Sequence, residues 1–197
     1  MRKLLSISAL VVSMFLVQAC GNSSKPESTK IADSANNAKI DTTKNNPDTV
    51  AIAVDKNDAE FVVKAANGGI AEVDLAIIAQ QKATDSEVNE FAAMMIADHT
   101  LANEELKTLA AKKNITLPSS IGKDELKIKD ELTRKAAKDF DKAYVDAMVK
   151  DHKNDIKLFE DGSKNLKDNE LKAFVDRTLP ILKKHLTEIE ALQKKII

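Results

Sequence analysis

Four stretches of this sequence repeat apolar residues every three or four positions, and almost nothing in it alternates with the period of two that a strand needs. The second stretch carries Val88, Phe91, Met95, Ala102, Leu106 and Leu109, the third Phe140, Tyr144, Met148, Ile156 and Phe159, and the fourth Leu171, Phe174, Leu182, Ile189, Leu192 and Ile196. That spacing puts one apolar stripe on each helix, and four such stripes bury one another in an all-α bundle. The boundaries follow from caps and breakers. Asn57 and Glu60 have the spacing of a capping box and start a first helix that runs to about residue 82; Thr84 and Glu87 repeat the box and start a second, ending near Asn114. Pro118 breaks the pattern, a charged helical segment follows at 123–135, the third long helix runs from about Lys138 to Gly162 read as a C′ glycine, and the fourth begins after Asp168 or Asn169.

The N-terminal third is of a different kind. Arg2 and Lys3 precede an apolar run from Leu4 to Val17, then Gln18, Ala19 and Cys20. A run of about 14 apolar residues is too short to span a bilayer of roughly 30 Å, so residues 1–19 read as a removable signal. Cys20 is the only cysteine in the chain, and its place directly after the apolar run matches the site of lipid transfer in bacterial lipoproteins. The expected partner at that residue is therefore a membrane, reached through lipid on Cys20. Gly21, in place of an acidic residue, fits the outer membrane, with the protein facing the periplasm. Residues 20–56 are polar, with Pro26 and Pro47, and read as a disordered tether before the domain at 57–197. Cleavage would leave 28 basic against 31 acidic residues, which gives no basic footprint for nucleic acid. A protein partner and the oligomeric state are left open.

The chain has three histidines, His99, His152 and His185, one on each of the last three long helices and each on the apolar stripe. Two of them close the same local pattern: Phe91, Met95, Asp98, His99 and Tyr144, Met148, Asp151, His152. The first helix supplies Glu72, flanked on its face by Gly68, Gly69, Ala76 and Ala79, which leave room for side chains from elsewhere. If the third helix runs parallel to the second, after a crossover formed by 115–137, these four residues lie roughly 17, 21, 21 and 17 Å from one end of the bundle. In a simple up-down-up-down bundle they would scatter between roughly 14 and 24 Å.

Imidazoles and a carboxylate from four helices in one layer are how bundles build metal sites, and neutral imidazole suits zinc, copper or iron. Glu72, His99, His152 and His185 are the expected ligands, with Asp155 and Glu188 as outer or additional ones, and Met95 and Met148 would tilt the choice toward copper if their sulfurs reached the ion. The competing reading is a hydrogen-bonded polar layer that fixes helix register within a non-catalytic structural or partner-binding module. No nucleophile motif or phosphate loop marks the chain as an enzyme.

Four segments in order carry a family resemblance: Glu72 to Ala76, Phe91 to His99, Phe140 to His152, and Thr178 to Leu186. Together they resemble the ferritin-like domain of unknown function 4142, a family of bacterial envelope proteins. The resemblance covers 57–197 and implies a ferritin-like four-helix bundle with a long crossover between its second and third helices; it implies no particular activity. Di-iron bundles place Glu three residues before their histidines, whereas Ile96, Val149 and Leu182 stand there in this chain. A site here would be richer in nitrogen.

Overall fold

The computed structural model describes residues 27–45 and 54–196; the expected signal and Cys20 lie outside the described residues. The described residues form six helices: α1 (Ser28–Asn45), α2 (Lys56–Lys82), α3 (Ser86–Lys112), α4 (Lys123–Arg134), α5 (Ala137–Asn165) and α6 (Asn169–Gln193). No helix among them is long and apolar enough to cross a membrane.

The four long helices are the expected ones, with three shifts at their ends. Asp55, not Asn57, caps α2 by accepting from the Asp58 N–H. Asp85, not Thr84, caps α3 through the N–H groups of Glu87 and Val88, because Thr84 is taken by another helix. Helix α5 passes through Gly162 and ends at Asn165. Gly162 is a packing glycine rather than a terminator: a Cβ there would stand 2.9 Å from the Phe61 ring. Gly69 likewise gives its space to Asn103 of α3, and Gly68 faces the Asp155 carboxylate of α5.

Polar contacts at the two ends of the bundle fix the topology. At one end the Asp141 carboxylate at the start of α5 accepts from the Thr84 N–H at 3.1 Å, the Asp85 N–H at 2.9 Å and the Thr84 hydroxyl, while Lys195 just past α6 pairs with Glu87. At the other end Asp58 of α2 accepts the N–H groups of Lys167 and Asp168, and Lys113 after α3 reaches Asp168 at 2.6 Å and Glu170 at 2.9 Å. The start of α3 therefore lies beside the start of α5. The two run parallel, joined by a crossover that contains α4, which is the single-crossover arrangement of ferritin-like bundles.

The segment expected as a disordered tether departs from that expectation at α1, which docks on α2 and on the start of the crossover. Ala32 is 1% exposed and Ile40 9%. The rest of its anchoring is polar: Asn36 donates to the Thr116 carbonyl at 2.9 Å and accepts from the Thr116 N–H at 2.7 Å, and Lys39 reaches the Asn114 carbonyl at 2.8 Å and the Thr116 hydroxyl at 2.8 Å. One asparagine thus serves both backbone groups of Thr116 as a neighbouring strand would.

Between the helices the core is interrupted. One apolar cluster gathers Phe61, Val62, Leu106, Phe159, Leu171 and Phe174; the other gathers Leu75, Phe91, Met95, Phe140, Tyr144 and Ile189. Glu72, His99, His152 and His185 lie at the level in the chain where one cluster gives way to the other, as their numbers on α2, α3, α5 and α6 require.

Candidate metal centre

All four residues of that layer are nearly sealed, at 1% exposure for Glu72, 5% for His99 and 0% for His152 and His185. The Glu72 carboxylate meets His99 Nδ1 through Oε2 at 2.7 Å, and its Oε1 lies 3.7 Å from His152 Nε2. His99 Nε2 stands 3.3 Å from His185 Nδ1. The three rings cluster with centroids 5.2 to 5.8 Å apart. One nitrogen from each histidine lies within 4.8 Å of the others.

The hydrogen bonds decide which nitrogens face inward. His152 Nδ1 is 2.9 Å from the Met148 carbonyl, which only accepts, so that nitrogen carries the proton and Nε2 bears a lone pair with no partner. His185 Nε2 is 2.9 Å from the Asp98 carboxylate, so its proton sits there and Nδ1 turns its lone pair inward. His99 has two choices set by Glu72. With Glu72 ionised, His99 Nδ1–H donates to it and the lone pair of Nε2 points at the lone pair of His185 Nδ1. With Glu72 protonated, the chain reverses: Glu72 donates to His99 and His99 donates to His185.

Burial sets the charges. It holds Glu72 up at about 8 and His99 down at about 4, with Asp151 and Asp98 pulling His99 back. It also lowers His152 to about 3 and holds His185 below the usual histidine range, against the Asp98 hydrogen bond. The imidazoles are neutral at neutral pH, which is the form that binds metal. A carboxylate, a backbone carbonyl and a second carboxylate each orient one imidazole, the outer arrangement metal-ligating histidines use. An N···N separation of 3.3 Å equals the edge of a tetrahedron with bonds of about 2.0–2.1 Å.

The structure brings Glu72, His99, His152 and His185 together, and Asp155 lies on their flank, opposite Gly68. Glu188 does not join them: it is exposed and pairs with Lys184 at 3.6 Å, because its position is carried to the outer face of α6. Met95 and Met148 are fully buried in the cluster with Phe91 and Tyr144, and Met148 touches the site through its backbone carbonyl. Two residues outside the expected set belong to the site, Asp98 and Asp151. Their signal in the sequence is the Asp-His pair that α3 and α5 share. Asp98 supports the histidine of a different helix, and Asp151 groups with Glu72 and His152.

No curated protein matches the chain in sequence. Among solved structures, it is similar to a DUF305 fragment from Deinococcus radiodurans, at 9% identity and a TM-score of 0.65, over 72% of this chain and 98% of that one. It is also similar to CopM in its Cu(II)-bound form, at 17% identity and a TM-score of 0.62 over 71% of this chain and 97% of that one. The Cu(I)-bound form of CopM gives 18% and 0.60, over 70% and 96%. These likenesses establish the helical fold. Residues 43–192 match the family described as a domain of unknown function, DUF4142, and the chain belongs to it.

Proposed function

We propose that this protein holds one transition-metal ion, copper first and zinc second, on His99, His152 and His185, with Glu72 orienting His99 and offering the fourth position. The observation that carries the reading is the convergence of three imidazole nitrogens, two of them with their outer N–H anchored whatever the state of Glu72. Three nitrogens and one carboxylate suit Zn(II) and Cu(II), and affinities for nitrogen sites peak at Cu(II). The Cu(II)-bound and Cu(I)-bound forms of the similar CopM support copper. Ligands so buried fit retention of a metal better than turnover of a substrate. Lipid on Cys20 would place the bundle at the membrane surface, on the periplasmic face of the outer membrane.

The purified protein, equilibrated with Cu(II) or Zn(II) and then desalted, should retain one metal per chain by elemental analysis. Substituting His99→Ala together with His152→Ala should abolish retention. Retention unaffected by that pair of changes, or none in the parent protein, refutes the proposal. A second reading has its own observation: with Glu72 protonated, the chain Glu72, His99, His185, Asp98 is satisfied without a cation, and the layer then serves helix register alone. The same retention assay separates the two.

A further inference from the structure

The hydrogen-bonded chain accounts for only part of the polar matter in the layer. Glu72 Oε1, His152 Nε2, Asp151 Oδ2 and the Tyr144 hydroxyl are all buried without a hydrogen-bond partner. A single metal on the imidazoles takes His152 Nε2 and, through its fourth position, at most Glu72 Oε1, and it leaves Asp151 Oδ2 and the Tyr144 hydroxyl. Glu72, Asp151 and His152 each present one ligand atom within 4.8 Å of the other two, so the Glu72 and Asp151 carboxyls crowd one another on the side of the layer away from His185. Asp155, one turn beyond Asp151 on α5, adds a third carboxyl, held against α2 where Gly68 leaves 3.2 Å between its missing Cβ and Asp155 Oδ2. Tyr144 is fully buried and close enough to feel the charge of both Glu72 and Asp151.

Two carboxyls as close as those of Glu72 and Asp151, one of them sealed from solvent, cannot both be ionised without something positive between them; protons or a cation must fill the gap. Burial and the mutual repulsion of these groups push Asp151 and Asp155 well above the usual carboxylate range. Asp151 is also the group at which the layer meets solvent. It lines a groove between α4 and α5 whose other charged residues include Glu125, Glu131, Lys127 and Lys150. The Glu125 carboxylate is felt by both Asp151 and Asp155.

We propose that Glu72, Asp151 and Asp155 form an oxygen-lined subsite for a second divalent cation, placed between the imidazole site and the groove of α4 and α5. Glu72 joins the two sites, with Oε2 committed to His99 and Oε1, 3.7 Å from His152 Nε2, free to bridge the fourth position of the imidazole site and the subsite. Carboxylate oxygen selects harder ions than imidazole does, so the expected occupant is Mn2+ or an ion of similar preference, with water completing its coordination. The subsite rests on the imidazole reading only through this shared Glu72.

The test uses the full chain in detergent, loaded with one equivalent of Zn2+, and titrated with Mn2+ while the six-line electron paramagnetic resonance signal of free Mn2+ is followed. One Mn2+ should disappear from the signal per chain. Asp155→Asn should weaken Mn2+ binding by about tenfold or more, and adding Asp151→Asn should weaken it further. His185→Ala should do the reverse, losing Zn2+ and keeping Mn2+. Gly68→Ala gives a second variant that keeps every ligand and favours the helix, yet forces the Asp155 carboxylate to move; it should weaken Mn2+ and spare Zn2+. No Mn2+ bound by the parent chain, or binding indifferent to all three aspartate and glycine changes, overturns the subsite and shows that the carboxyls share protons only. Zn2+ retention lost in His185→Ala alongside that result would leave the imidazole site standing.

Discussion

Glu72→Gln should make the metal-free protein more stable, and by more as the pH rises. Glu72 is 1% exposed, and burial holds its carboxyl at about 8 against 4.5 in an open chain. Between those values the folded protein keeps a proton that the unfolded chain has released, so stability falls as pH rises. The histidines act oppositely but in another window. Burial lowers His99 to about 4 and His152 to about 3, so their contribution grows as pH rises through 6.5 and levels off about one unit above it. From pH 6.5 to 8 the histidines, which parent and variant share, drop out of the comparison, and the Glu72 contribution to the slope is near 1.4 kcal/mol per pH unit, flattening near 8. Over that window it removes about 2 kcal/mol from the parent protein, worth roughly 4–8 °C in melting temperature for a domain of this size. Glutamine keeps the shape and mimics the protonated acid, donating to His99 as the neutral carboxyl does. Melting curves in chelator at pH 6.5 and pH 8 measure the difference between parent and variant. A gap that does not widen with pH, or a variant that melts lower at pH 8, would refute the assignment of a buried, proton-bearing Glu72.

Two further substitutions test the frame around the site. Asn36→Ala removes both hydrogen bonds to the Thr116 backbone, at a loss of about 1–3 kcal/mol, and hydrogen exchange should show faster opening of α1 with the four-helix core unchanged. Gly162→Ala should destabilise by about 1–3 kcal/mol in spite of the better helix propensity of alanine, because the new Cβ would meet the Phe61 ring at 2.9 Å; a denaturant melt with no loss of stability would mean the ring gives way freely.

The bundle was legible because its signal is local: apolar periodicity sets the helices, and the height of four polar residues along them chose the crossover topology. Phe91, Met95, Phe140 and Tyr144 fall where their spacing puts them. The caps were harder, since Thr84 has the right spacing for its own helix and is instead claimed by Asp141 from a helix some 57 residues away, a contact no local pattern announces. The same holds for α1. Its anchors are Asn36 and Lys39 pairing with backbone and hydroxyl groups of the crossover, and a composition poor in apolar residues hides such docking. In the site itself the three histidines on apolar stripes were visible, while the role of Asp98 was not, because it supports the histidine of α6 and not its neighbour in sequence. Glu188 stands one turn from His185 in sequence, but the rotation of α6 carries it to solvent and away from the layer.

The layer can close in two ways, and the difference between them is a single proton. With Glu72 protonated, donors and acceptors alternate without conflict from Glu72 to Asp98, and His152 is left with a lone pair and no donor. With Glu72 ionised, His99 Nε2 and His185 Nδ1 face each other as two acceptors at 3.3 Å, which is untenable unless a cation lies beside them. A metal ion on the three imidazoles, as proposed, would satisfy them all and remove the reason for Glu72 to hold its proton. Binding and deprotonation would then be one event, and affinity should rise with pH up to the point where Glu72 loses its proton unaided. A polar layer built only to fix register would have no need of the orphaned nitrogen on His152, since an apolar side chain of similar volume would fill that place without an unmet lone pair.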